Sequence, residues 1–260
     1  MAGRGADFVQ SLERGLAVIR AFDHEHPELT LSEVAVRTGV TRAVARRFLL
    51  TLATLGYVRS DGRFFSLTAR VLELGYAYLS SLSLPEVAES HLEALVAEVN
   101  ESSSVSVLDG HDVVYVARVP VSRIMTVSIS VGTRFPAYAT SMGRILLAGL
   151  PADELEEYLS AVTMEPLTAR TLTSGDALRV EIAKVRTQGW SLVNQELEEG
   201  LRALAAPIRD RTGTIVAAVN VSAHASRTSL EAMRRDLLPP LLKTADHIEA
   251  DIPGSRRPQG

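Results

Sequence analysis

Residues 30–67 read TLSEVAVRTGVTRAVARRFLLTLATLGYVRSDGRFFSL, and the order of signals in this stretch decides the N-terminal fold. Thr30 and Glu33 have the spacing of a capping box, in which the hydroxyl caps the first helical amides and the carboxylate reaches back. Gly39 is a helix stop, because it adopts the left-handed conformation at low cost. Thr41 caps a second helix. On that helix Val44, Phe48 and Leu52 recur every fourth residue with Ala45 and Leu49 beside them, so this face turns inward. Arg42, Arg46 and Arg47 fall on the opposite side. Two strand-like runs follow, Tyr57-Val58-Arg59 and Arg63-Phe64-Phe65, joined by Ser60-Asp61-Gly62. Asp-Gly between such runs is a hairpin signal. Helix, tight turn, arginine-faced helix and hairpin spell a winged helix-turn-helix. The second helix, at about 14 residues and roughly 21 Å, suits a DNA major groove. Arginines on an outer helix face are by themselves only a solvated face. The order of the parts carries the DNA-binding reading, and no single residue does.

The chain has 260 residues, enough for two domains, and a hydrophobic content of 46% that supports packed cores. No apolar run reaches the ~18 residues of a membrane span, and MAGRGADFVQ has no signal-peptide core. Cysteine is absent, which excludes disulfides and thiol catalysis and fits a reducing, cytoplasmic setting. The net charge of −4 does not suggest nucleic acid, but it is unevenly spread. Residues 1–83 hold 10 Arg against 8 acids, a balance of +2, and the remainder of the chain carries −6. Arginine suits bidentate phosphate or guanine contacts. Because only Lys184 and Lys243 are lysines, part of this richness is a composition bias.

Along the chain, residues 1–7 read as a disordered lead and 8–67 as the winged helix-turn-helix domain, its first helix at about 9–23. A linker helix is expected at 68–83, since Val71, Leu74, Tyr78 and Leu82 form one apolar stripe. A Ser83–Glu86 capping box opens a helix running to about Asn100 and marks the start of a second domain, 84–251. There the rhythm changes to period two, around Val105, around Val113–Arg118 and again over Ile124–Ser130. Helices follow at about 140–150, 153–161 and 176–188. A hairpin spans 202–209 and 214–222, a Thr228–Glu231 capping box opens a last helix to about Ala250, and 252–260 is a flexible tail. Strands in hairpins flanked by helices predict an α+β domain with an antiparallel sheet.

The second domain lacks the sequence marks of catalysis. No nucleophile elbow, phosphate loop or dinucleotide fingerprint is present, and no cofactor or metal is expected. The pair His24-x-His26 sits in a loop without further ligands. Glu196, Glu198 and Glu199 read as a solvated acidic stretch. Ligand binding is better supported. Residues 132–144 run from a strand end through a proline loop into a helix, whose first amides and positive end suit a carboxylate. Thr140 and Ser141 add hydroxyls, Arg134 is a planar partner for the same carboxylate, and Tyr138 and Met142 form an apolar wall. Asn220 and Ser222 alternate on an otherwise apolar strand and need partners. On the bland reading, Thr140 only caps and Arg134 faces solvent. The alternative function is a small-molecule enzyme or sensor whose N-terminal helical domain only dimerises.

The segments SLERGLAVIRAF, TLSEVAVRTGVTRAVARRFLLTLATLGYV, FSLTARVLELG, PAYATSMGRILLA and ELEEGLRALAAPIRDRTGTIVAAVNVS, in that order, resemble the IclR family of bacterial transcriptional regulators over about residues 8–250. GTRFPAYATSMGRILLA looks most like the branch containing the PcaU, PcaR and PobR regulators of protocatechuate, 4-hydroxybenzoate and β-ketoadipate catabolism. The resemblance implies a GAF-like effector domain, homodimers or dimers of dimers, a palindromic double-stranded DNA operator and a small organic acid effector. It implies that Thr41, Arg42, Ala43, Arg46 and Arg47 face DNA, with Arg63 on the wing. It maps the effector pocket to Ser141 and Met142, Val193 and Asn194, Ala203, and Asn220 and Ser222. The glyoxylate/pyruvate-responsive founding member carries an acid near Val193, a cysteine at Ala203 and a serine at Asn220. Those departures point to an aromatic or dicarboxylic acid instead of a two-carbon keto acid.

Overall fold

The computed structural model describes residues 8–23, 25–74, 84–121 and 129–252. Two compact units divide the chain, residues 1–81 and 82–260. In the first, helix α1 (Gln10–Arg20) is followed by a short strand β1 (Glu28–Thr30), α2 (Leu31–Thr38) and α3 (Arg42–Thr54). The Thr30–Glu33 capping box forms, with the Thr30 amide donating to Glu33 Oε2 at 2.7 Å. Gly39 ends α2 at φ 67°, and Thr41 Oγ1 accepts from the Val44 amide at the start of α3. Strands β2 (Val58–Ser60) and β3 (Phe64–Leu67) make the expected hairpin. The Asp61 carboxylate fixes its turn by accepting from the Arg63 and Phe64 amides, which also hold its pKa below the ordinary value. The sequence did not announce β1, which pairs with β3 to give a three-stranded sheet in the order β1-β3-β2. Val18, Leu29, Val34, Ala45, Leu49, Leu52 and Val58 form the core of this unit.

The linker helix expected at 68–83 begins with a single 3-10 turn at Ala69–Val71, and its part from residue 75 to 83 lies outside the described residues. So do the Ser83 cap and most of the strand expected at 124–130.

The second unit opens with α4 (Leu84–Val99) and the hairpin β4 (Ser102–Asp109) and β5 (Asp112–Val119). A short β6 (Arg134–Pro136) and a 3-10 turn at Ala137–Ala139 lead into α5 (Ser141–Gly149). Helices α6 (Ala152–Ala161) and α7 (Gly175–Gln188) follow, then β7 (Ser191–Asn194), β8 (Leu201–Arg209) and β9 (Ile215–His224). The six strands form one antiparallel sheet in the order β6-β5-β4-β9-β8-β7. This confirms the α+β class, with β6 and β7 added to the strands read from the sequence. Helix α8 (Leu230–Ala232) runs through a π-type turn at Met233–Leu237 into α9 (Leu238–Asp251). Pro239 and Pro240 lack the amides that would close regular helical bonds across that turn, so the last helix continues through one wider turn. The capping expectation there is also corrected. Ser229, not Thr228, accepts from the Ala232 amide, while the Thr228 carbonyl receives Arg202.

One face of the sheet, with Tyr115, Ala205 and Ala218, packs into a core with α5, α6 and α7. Its other face, with Val105, Leu204, Val219 and Val221, is buried where α4 and α9 pack. Side-chain alternation along the strands makes the two faces chemically different.

Candidate functional site

In the first unit, Thr41, Arg42, Ala43, Arg46 and Arg47 are all exposed on α3, and the opposite face holds buried Ala45, Leu49 and Leu52. Arg63 is exposed at the hairpin tip, its guanidinium 5.1 Å from the centre of the Phe64 ring. Among the described residues none of Arg42, Arg46, Arg47 and Arg63 is in an ion pair, whereas Arg37 is neutralised by Asp23 at 2.7 Å and Arg70 by Glu73 at 3.3 Å. Unpaired cations therefore line the outer face of α3 and the hairpin tip, with Arg14 and Arg20 on α1 also outside any ion pair among the described residues. Unneutralised guanidinium groups on one side of a protruding helix provide the contacts that phosphates and base edges accept.

In the second unit a cleft opens between the start of α5 and the sheet. Its enclosed cavity is about 20 Å³, and about 380 Å³ of space lies between the lining atoms once the open mouth is included. Thr140, Ser141, Met142, Val193, Ala203, Asn220 and Ser222, all expected from the sequence, line it. Tyr115, Ile129, Ala139, Leu197 and Leu201 complete the lining and were not foreseen. The helix start is held against the preceding turn by Gly143, where a Cβ would lie 2.1 Å from the Ala137 carbonyl oxygen. Only glycine permits that approach. Thr140 Oγ1 accepts from the Gly143 amide at 3.0 Å, so the cap is real. The amides of Ser141 and Met142, one turn too early for helical acceptors, remain available at the positive end of the helix. Ser106 Oγ donates to Met142 Sδ at 3.2 Å and fixes the thioether as part of the wall.

Asn220 is 3% exposed. Its Nδ2 donates to Ser222 Oγ at 3.1 Å, and its Oδ1 has no partner among the described residues. A buried amide left half-bonded costs about 1–3 kcal/mol, a deficit that a polar ligand removes.

Three expected site residues are placed elsewhere. Arg134 does not line the cleft. Its guanidinium is bound to Asp109 at 2.5 Å and Asp112 at 3.1 Å, because β5 and β6 pair so that Arg134 lies beside the β4–β5 turn. The hydrogen bonds to those two carboxylates hold its pKa above the ordinary value. Tyr138 is buried in the core, its hydroxyl donating to the Glu165 carbonyl and accepting from the Glu165 amide, both at 3.0 Å. Asn194 Oδ1 accepts from Arg202 Nε at 2.8 Å outside the lining. Glu196 is likewise not solvated. It is 9% exposed, and its two carboxylate oxygens accept from Arg144 Nη1 at 2.9 Å and Nη2 at 2.5 Å. Arg144, 1% exposed, also donates from Nε to the Tyr138 carbonyl, and Glu196 Oε2 accepts from the Leu172 amide. This pair ties α5 to the segment carrying Leu197 and Leu201. A lone arginine among GRILLA and the first acid of QELEE are the only hints of it in the sequence.

A winged helix-turn-helix with an unpaired arginine face, joined in one chain to a domain with a half-satisfied polar cleft, defines a helix-turn-helix transcriptional regulator. Comparison with known families gives the same answer with more detail. Residues 11–62 match the IclR helix-turn-helix domain and residues 76–250 match the bacterial transcriptional regulator IclR C-terminal domain. The chain belongs to the IclR family. It is 46% identical over 237 residues, 91% of this chain and 81% of its relative, to the Pca regulon regulatory protein of Pseudomonas putida, which bears out the branch resemblance. Among solved structures, a transcriptional regulator from Rhodococcus sp. RHA1 is 61% identical, with a TM-score of 0.87, covering 96% of this chain and all of that one. An IclR homolog from Microbacterium hydrocarbonoxydans complexed with 4-hydroxybenzoate is 25% identical, with a TM-score of 0.83, over 93% of this chain and 98% of that one. The protein is a DNA-binding regulator and not an enzyme. Among the described residues no helix is long and apolar enough to cross a membrane.

Proposed function

We propose that the protein is a cytoplasmic regulator of aromatic-acid catabolism, in which an aromatic or dicarboxylic acid binds the cleft under α5 and changes how the α3 face engages DNA. The half-bonded amide of buried Asn220 carries this reading. An otherwise apolar cleft with one unsatisfied amide, two free helix-terminal amides and the Ser141 hydroxyl suits a flat ring bearing polar groups at its edge. The name of the Pseudomonas relative and the 4-hydroxybenzoate complex of the Microbacterium homolog support the ligand class. Within this reading residues 8–67 are the DNA-binding domain, 68–83 a linker helix and 84–251 the effector domain.

On DNA, Thr41, Arg42, Ala43, Arg46 and Arg47 read the major groove, and Arg63 contacts phosphate beside it. Two chains, as a homodimer or as a dimer of dimers, meet a palindromic operator whose half-sites are about one helical turn or a multiple apart. The acid acts only to the extent that it binds the competent and incompetent geometries with different affinity. A thermal-shift screen of benzoates, hydroxybenzoates and short dicarboxylates tests the ligand class, since a bound ligand raises the unfolding temperature by mass action. Footprinting upstream of the protein's own gene, with and without the best ligand, tests the regulatory step. Stabilisation by an acid and an altered footprint are the expected results. No stabilisation by any acid in the screen would remove the effector reading.

A further inference from the structure

Among the described residues none that lines the cleft is charged, and Arg134 is spent on Asp109 and Asp112. An acid entering the cleft therefore lacks a formal counter-charge from the lining itself. We propose that Arg118 supplies it, and that its guanidinium is the carboxylate receptor of the cleft. This assignment rests on the reading that the cleft takes an organic acid.

The placement follows from the sheet register. Arg118 on β5 stands opposite Ser104 on β4, and Ser104 stands opposite Asn220 on β9. Residues directly opposite in antiparallel strands share a face, with Cβ atoms about 4.5–5.5 Å apart. Arg118, Ser104 and Asn220 are thus one row on the cleft side of the sheet. Plain alternation would put Tyr115 and Arg118, three apart, on opposite faces. A register shift in the β4–β5 pairing changes this. Ser106 pairs with Tyr115 and Val105 with Ala117, so Val116 is an extra residue and both flanking side chains turn to the same side. Bulges of this kind re-aim side chains next to functional sites. Tyr115, on the other side of the bulge, is a lining residue.

Arg118 is also unusually free for a half-buried cation. Its Nη1 donates to Ser104 Oγ at 3.1 Å, one of the five N–H donors of a guanidinium, and it is in no ion pair among the described residues. The arginines of this unit that are buried or bridge elements are committed, while Arg170, Arg211 and Arg234 are exposed at its surface. Arg144 is held by Glu196, Arg179 by Glu156 and Asp176, and Arg186 and Arg202 by backbone carbonyls. Burial lowers the pKa of Arg118 from its ordinary value, the mark of a charge whose lost hydration has not been replaced. An arginine remains cationic even so. A carboxylate on its free edge would restore the lost interactions by bidentate bonding.

Calorimetric titration of the full protein with 4-hydroxybenzoate and with its neutral analogue 4-hydroxybenzamide separates charge recognition from ring recognition. The wild type is expected to prefer the acid. Arg118→Gln is expected to lose about 10- to 100-fold in affinity for the acid, the cost of a charge-assisted hydrogen bond, with the amide unchanged. Arg118→Lys, which keeps the charge but not the fork, is expected to fall between, and it decides the matter if the glutamine variant does not fold. Equal loss for acid and amide in the variants would make Arg118 a structural residue and overturn the proposal, as would no loss for either. Binding of the amide but not the acid by the wild type would overturn it while leaving the cleft as a ligand site. Binding of neither, nor of any acid in the thermal screen, would instead refute the effector reading on which it rests.

Discussion

Replacing Glu196 by alanine removes the only carboxylate that Arg144 meets among the described residues. Arg144 is 1% exposed and Glu196 9%, so the guanidinium cannot turn to water. Three bonds disappear, at 2.9 and 2.5 Å to Arg144 and 3.2 Å to the Leu172 amide, and the cation keeps only its Nε bond to the Tyr138 carbonyl. Breaking a buried pair from one side costs about 3–5 kcal/mol, because an uncompensated charge stays behind. For a domain of this size that corresponds to a fall of roughly 6–20 °C in melting temperature. Trp190, the single tryptophan of the chain, lies in the second unit, so its fluorescence during urea unfolding reports on the right domain. The pair need not be net stabilising against an apolar replacement, since both charges lose hydration on folding. The double variant Arg144→Met/Glu196→Leu is accordingly expected to be more stable than Glu196→Ala. A loss below about 1 kcal/mol in Glu196→Ala would refute the reasoning, because no buried charge would then have been orphaned. A double variant no better than the single would show that packing, not charge, was lost.

Gly143→Ala forces a Cβ to within 2.1 Å of the Ala137 carbonyl oxygen, so it should destabilise the second unit by at least about 1–3 kcal/mol; an unchanged urea midpoint would mean that α5 and the preceding turn are not so closely apposed. Arg46→Ala should weaken specific operator binding by about 1–3 kcal/mol in a mobility-shift titration at moderate salt, and equal affinity would take Arg46 off the DNA. Glu249 tests the pH dependence. Its pKa is raised above the ordinary 4.5, chiefly by burial and against the opposing hydrogen bond from the Arg209 amide. The folded state therefore holds the proton more tightly than the unfolded state, and the ionised carboxylate costs stability at neutral pH. Glu249→Gln should raise the melting temperature at pH 7, with an advantage that shrinks as pH falls through the folded-state pKa and vanishes below the unfolded one. An advantage independent of pH would assign the effect to something other than ionisation.

The helix-turn-helix was readable because each of its corners is set by residues close in sequence. Thr30 meets Glu33, Gly39 supplies the left-handed turn, and Asp61 holds its own hairpin. Strand β1 escaped notice because its three residues are strand only by virtue of pairing with β3, over thirty positions later. The last helix was legible to its end, but its cap was placed one residue early, on Thr228 instead of Ser229, and the wider turn ahead of Pro239 and Pro240 was not foreseen. Seven cleft residues were legible from local features and family resemblance, since a capped helix start and a polar pair on an apolar strand are both visible in the chain. Arg134 was misassigned because its true partners, Asp109 and Asp112, are brought to it only by the β5–β6 pairing. Likewise Arg144 and Glu196 are 52 residues apart, and nothing local distinguishes a buried acid from a solvated one. The bulge at Val116, which turns Tyr115 and Arg118 to the same side, is a property of two strands and not of either alone.

A ligand in the cleft is expected to change how the arginine-faced helix engages its operator. The direct measurement is the operator affinity of the full protein with and without saturating 4-hydroxybenzoate, repeated in Asn220→Leu. A coupling of about 1–3 kcal/mol, a change of roughly 5- to 150-fold, is predicted for the wild type and none for the variant. Identical operator affinity in both conditions, with binding of the acid demonstrated calorimetrically, would mean that the cleft and the DNA-binding face are not coupled.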